Sequence, residues 1–246
     1  MKQAQVLTAL FFLAIGGATA VQAQSDQKDR QDQPGRGDSH GRGAPPERVP
    51  PQEQQRRVQE EQQRNAQYQQ RLEQQMRVQQ QQNEQLQRQQ RQAQYRAQQQ
   101  YAEQLQEQRR QLQAARNYDN DPYIYTPNNY QYNVNGTQRL TNQYGADALQ
   151  RAVNVGYQQG VRAGQADRQD GYRSNYRNSF AYQDANVGYN GAYIDQADYN
   201  YYFREGFQRG YQDGYASQSQ YGSLVNGTPS MLSSVVSSIL GLVTIH

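Results

Sequence analysis

Glycine recurs at every fourth residue in two stretches of this chain, Gly156, Gly160 and Gly164, then Gly206, Gly210 and Gly214. Each series sits beside a bulky one. Leu149, Val153, Tyr157 and Val161 flank the first, and Tyr199, Phe203, Phe207, Tyr211 and Tyr215 flank the second. Spacing by four is the row spacing of an α-helix, yet each helical glycine costs about 1 kcal/mol relative to alanine. The cost makes sense where the missing side chain opens a groove that lets another backbone approach closely. Ala148 and Ala152 extend the first row backward, and an offset of 50 superposes GYQQG at 156–160 on GFQRG at 206–210. This pattern predicts a glycine-zipper helical hairpin, with Ala148, Ala152, Gly156, Gly160, Gly164, Phe203, Gly206, Phe207, Gly210, Tyr211, Gly214 and Tyr215 as its packing residues. Between the copies, Tyr172, Tyr176 and Phe180 continue at the same spacing and suggest a middle helix of about 172–188. Asn190-Gly191 reads as a turn, and Asp195 or Asp198 as a helix cap. The expected unit is a three-helix arrangement over 145–217.

The rest of the chain is poor in core-forming residues. After Ala23, Leu, Ile, Val and Phe make up 29 of 223 residues, below the level of about 20% at which disorder becomes the expectation. Order should therefore be local, with tyrosine supplying much of the apolar area. Residues 1–23 read as a signal peptide, with Lys2, an apolar run at 6–18 and small residues before the cleavage point. Residues 24–51 read as a disordered Pro/Gly arm; its Arg36-Gly37-Asp38 is read as a chance match to an adhesive tripeptide. Residues 52–116 hold 29 Gln and neither Gly nor Pro. Glu53–Arg57, Glu60–Arg64, Glu73–Arg77 and Glu84–Arg88 are i,i+4 pairs in the favourable order, so one long helix is expected. Tyr68/Leu72/Met76 and Ala93/Ala97/Tyr101/Leu105 are short apolar stripes without sustained heptads, which leaves a solitary helix, a paired helix and an aggregating Gln tract all open.

Residues 117–144 read as a Tyr/Asn-rich linker broken by Pro122 and Pro127, and 218–227 as a second linker. In 228–246, Thr228-Pro229 looks like a helix start. Met231, Leu232, Val235, Val236, Ile239, Leu240 and Val243 would line one side of a C-terminal amphipathic helix. That helix is expected to dock on the protein's own helices or on another copy, with membrane contact and a strand as alternatives. The fold class expected is all-α, with extensive disorder.

The run VGYQQGVRAGQAD, followed by AYQDANVGYN and DYNYYFREGFQRGYQDGY, resembles a group of uncharacterised exported bacterial proteins with YxxGxxxG repeats and a GFxxGYxxGY signature. The resemblance covers 150–217. It implies a helical glycine-repeat domain in an envelope or secreted setting and brings no catalytic residue. The chain has no cysteine, and its two histidines, His40 and His246, lie in the arm and at the end. The sequence thus supports no nucleophilic triad, metal site or cofactor site. Its charge is spread as +4 over 52–116 and −2 over 117–246, so no nucleic-acid partner is expected. The expected role is a non-enzymatic structural or interaction protein of the cell envelope, self-associating through the glycine rows. A Tyr-mediated polysaccharide- or peptidoglycan-binding module and a Gln/Tyr-rich cross-β polymer are the alternatives.

Overall fold

The computed structural model describes residues 47–112 and 117–245. The signal peptide, most of the Pro/Gly arm and its Arg36-Gly37-Asp38 lie outside them. The described residues are mostly helical but not all-α: five strands form two antiparallel sheets. The framework is a pair of long helices, α4 (Gln143–Gln169) and α6 (Gln196–Ala216). They are not a hairpin. Gly156 and Gly164 lie against Phe203 and Tyr211, while Gly206 and Gly214 lie against Val153 and Val161, so the chain runs the same way along both. Parallel neighbours need a long crossover, and residues 170–195 supply it. The expected middle helix is reduced there to a 3₁₀ turn (Tyr176–Asn178) and α5 (Phe180–Asp184). Ala185, at φ 57°, ends α5 in the left-handed region.

The Gln-rich segment is two helices, α1 (Pro51–Arg88) and α2 (Gln92–Leu112), folded back on each other. Gln79 and Gln98 donate side-chain hydrogen bonds to each other's backbone carbonyls at 3.3 and 3.4 Å. The break falls at Gln90, whose φ is 58°. Its cause lies on α4 and in the turn after it. The Asp170 carboxylate accepts from the Ala93 and Gln94 amides, both at 2.9 Å, capping α2 from a different part of the chain. Arg91 pairs with the buried Asp167 and stacks on the Tyr172 ring at 3.6 Å. These contacts outweigh a local preference to continue the helix. Two of the expected i,i+4 pairs form, Glu53–Arg57 and Glu84–Arg88. Arg64 turns instead to Asp195, and Glu73 to Arg109. Asp170→Ala should cost about 1–2 kcal/mol, the range for a lost N-cap. Hydrogen exchange would check this by faster exchange at Ala93 and Gln94, with the α4–α6 seam unchanged.

The expected linker at 117–144 contains α3 (Pro122–Tyr125) and a hairpin of β1 (Tyr130–Val134) and β2 (Thr137–Thr141). Asn135 and Gly136 both have positive φ, 51° and 84°, as a type I′ two-residue turn requires. The expected second linker and the start of the tail form a matching hairpin, β3 (Gly222–Val225) with β4 (Thr228–Met231), turned by Asn226-Gly227 at 51° and 78°. Thr228-Pro229 is thus strand, not helix start. The C-terminal helix shrinks to α7 (Ser233–Leu240), about 12 Å long, before β5 (Val243–Thr244) pairs with β1. Val236 and Leu240 of α7 are buried in the chain's own core. Among the described residues no helix is long and apolar enough to cross a membrane.

The shortage of aliphatic residues is met by rings. Tyr68, Tyr101, Tyr189, Tyr199, Tyr202 and Tyr211 are fully buried, and they share one core with Leu149, Val153, Phe203 and Phe207. Extensive disorder is therefore not a property of the described part of the chain.

Candidate binding cleft

The twelve residues read as a packing set come together on α4 and α6. A Cβ at Gly156, Gly160 or Gly164 would stand 2.0, 2.1 and 2.3 Å from the carbonyl oxygens of Phe203, Phe207 and Tyr211. On the facing helix, Gly206, Gly210 and Gly214 meet the carbonyls of Val153, Tyr157 and Val161 at 2.0, 2.1 and 2.2 Å. Both rows are filled by backbone of the same chain, which leaves neither as a groove for a second copy. Ala148 and Ala152 are buried above them. Phe203, Phe207, Tyr211 and Tyr215 stack in sequence, with centroids 6.2, 6.4 and 6.0 Å apart. The first three are buried and Tyr215 is half-buried, donating to the Tyr172 carbonyl at 3.1 Å. This ring row is core rather than a stacking platform for a ligand.

Four buried tyrosine–aspartate hydrogen bonds, which sequence reading missed, tie other elements to this pair. Tyr157 donates to Asp213 at 2.8 Å, Tyr211 to Asp167 at 2.5 Å, Tyr101 to Asp184 at 2.6 Å and Tyr132 to Asp198 at 2.8 Å. Asp213 also accepts from the Gln220 and Tyr221 amides and so anchors the lead into β3. Burial raises the Asp167, Asp184 and Asp198 carboxyls above the usual range, although these phenols and, at Asp167 and Asp198, Arg91 and Arg139 pull the other way. No sequence spacing joins the partners, which lie 44 to 83 residues apart.

The surface feature with convergent polar groups is a cleft of about 430 Å³ bounded by α1, α3, the β1–β2 hairpin and the loop before α6. Arg56, Arg57, Arg64 and Arg139 line it with Glu60, Asp195, Tyr123, Tyr132 and Tyr193. Its size falls within the roughly 300–1,000 Å³ of small-molecule sites. A groove of about 440 Å³ at Pro51, Tyr118 and Tyr125 also touches α3, but its one charged lining residue is Asp119.

Each guanidinium in the cleft is held. Arg57 is buried and donates to the Tyr123 and Thr126 carbonyls, both at 2.8 Å, and to Glu53 at 3.0 Å. Arg56 pairs with Glu53 and Glu60, and its hydrogen bond brings the Glu53 carboxyl down to about 2. Arg139 bridges Asp195 at 3.3 Å and Asp198 at 3.1 Å, and Arg64 approaches Asp195 at 3.6 Å. Asp195 occupies the N-cap position of α6 without a capping hydrogen bond, so the expected cap residue is directed to these arginines. Asp198, the other candidate cap, is buried beneath Arg139.

One wall carries backbone strain. Tyr193 has φ 69°, a conformation rare for a bulky side chain. Its amide donates to Glu61 at 2.9 Å, and its ring lies 4.9 Å from that of Tyr123 and 6.2 Å from that of Tyr144. Only the bend at Asn190-Gly191, where Gly191 has φ 72°, was legible beforehand. Among the described residues no cluster of three His, Cys, Asp or Glu side chains is arranged to hold a metal ion. Compared with known proteins, the chain matches no family model, no characterised protein and no solved structure.

Proposed function

We infer that this chain is a non-enzymatic interaction protein of the bacterial cell envelope, and that its recognition surface is the arginine- and tyrosine-lined cleft. The observation that carries this reading is the assembly of the cleft from four separate elements with a strained residue in its wall. Strain of about 1–3 kcal/mol persists where surrounding structure over-determines it, and such sites cluster where ligands bind. The signal-like N-terminus and the resemblance to exported glycine-repeat proteins support an envelope setting. The Gln-rich hairpin, docked onto the glycine-paired helices, serves as part of the cleft's scaffold rather than as a free spacer.

Site-specific photo-crosslinking in intact cells tests this reading. A photoreactive residue at Gln67, exposed on the cleft rim, should capture an envelope component. The same residue at Gln81, exposed on α1 but outside the cleft, should not. Equal capture at both positions, or none at Gln67, would remove the cleft from the account. Mass spectrometry of the exported protein should find its N-terminus at Gln24; an intact Met1 would count against export by signal cleavage.

A further inference from the structure

We propose that the cleft binds an uncharged saccharide unit, with Tyr193 as its stacking wall and the Arg64–Asp195–Arg139 group as its hydroxyl-binding edge. The proposal rests on the cleft being the recognition surface and goes further by naming the ligand's chemistry.

Charge balance comes first. Arg56, Arg57, Arg64 and Arg139 are matched by Glu53, Glu60, Asp195 and Asp198 in direct ion pairs. An anion reaching Arg139 would meet both carboxylates that already hold it, and a cation reaching Asp195 would meet two guanidiniums. Either charged ligand must break existing pairs to gain new ones, and a buried pair that loses one partner is strongly destabilised. A wholly apolar ligand fares no better, because it would strand the cleft's polar groups at about 1–3 kcal/mol each.

A sugar meets both demands. Its hydroxyls donate to carboxylate oxygens and accept from guanidinium N–H groups without disturbing the ion pairs. Its C–H face suits an aromatic ring. The donors and acceptors stand ready: Asp195 is exposed although it is engaged with Arg64 and Arg139. Tyr193 is half-buried and held at 33° to the Tyr123 ring, with its backbone fixed by Glu61. Polar groups fixed in advance by their own partners lose little freedom on binding, which favours a small ligand.

Isothermal titration of the full chain tests this with four probes: maltotriose, chitotriose, trigalacturonate and inorganic phosphate. At least one neutral trisaccharide should bind, with an affinity that changes less than about twofold between low and high salt because no net charge is neutralised. Tyr193→Gly should weaken it at least tenfold while keeping or raising the melting temperature, since glycine adopts φ near 69° without strain. Asp195→Asn, at an exposed position, should also weaken binding without loss of fold. Preferential binding of trigalacturonate or phosphate, unchanged binding by Tyr193→Gly, or no binding of any probe would overturn the assignment. Crosslinking at Gln67 to a protein, with no sugar binding, would leave the interaction role standing and sink the saccharide alone.

Discussion

Gly210→Ala lowers the melting temperature of the full chain by roughly 6–12 °C, although alanine is the better helix former by about 1 kcal/mol. The new Cβ would stand 2.1 Å from the Tyr157 carbonyl oxygen and 2.8 Å from its carbon. Both atoms are backbone, so no rotamer change relieves the contact. The two helices must part, and parting at Gly210 also loosens the five other close approaches along the seam. Overpacking ordinarily costs about 1–3 kcal/mol. A rigid backbone neighbour puts this site at the upper end of that range or above it, and about 3 kcal/mol is a large part of a normal domain's stability of about 5–15 kcal/mol. Gly160→Leu combined with Gly210→Leu should leave no cooperative transition. Calorimetry of these variants is decisive: an equal or higher melting temperature for Gly210→Ala would mean that the seam tolerates separation and that the glycines do not set the helix spacing.

The same glycines show what could be read in advance. Their spacing, their bulky flanking rows and the offset of 50 all appear in the structure, because these depend on contacts that repeat at each turn. Direction was also implicit: two copies related by a constant offset can meet residue for residue only if they run parallel. The Val-Asn-Gly-Thr at 134–137 and again at 225–228 was legible as two hairpin turns, since Asn-Gly is the preferred type I′ pair. Weak apolar alternation around them hid the strands. The break at Gln90 could not be read, because no glycine or proline marks it. It is set by Asp167 and Asp170, about 76 residues further along the chain. The cleft was hidden for a related reason. Arg64 looked like a local partner of Glu60, and only the fold carries Asp195 to it. Tyr193 has no sequence signal for a left-handed backbone, which tyrosine rarely adopts.

A core built from phenols has a chemical weakness at high pH, and the chain should unfold cooperatively near pH 11. Burial is the first cause that lifts the phenols of Tyr68, Tyr101, Tyr189, Tyr199, Tyr202 and Tyr211 above their ordinary value of 10.0; Tyr202 rises to about 12 and the others go well above the ordinary range. Raised folded values mean that the folded state binds more protons than the unfolded one once the unfolded tyrosines begin to ionise. The stability these groups carry is complete below about pH 10 and is lost as pH climbs toward their folded values. At pH 11 each such phenol costs the folded state about 1.4 kcal/mol, and six together about 8 kcal/mol, comparable with the whole stability of a domain. Asp167, Asp184 and Asp198 act with the same sign in a lower window, because burial also raises their carboxyls. Their contribution falls as pH rises out of the ordinary carboxylate range, so the melting temperature should be higher in mild acid than at pH 8. Absorbance of tyrosinate near 295 nm, followed together with helical circular dichroism, reads the alkaline step. The buried phenols should ionise in one steep transition that coincides with loss of helix. Smooth ionisation of every tyrosine near pH 10 with the helices intact would show that the rings are open to solvent, and the tyrosine core would have to be given up.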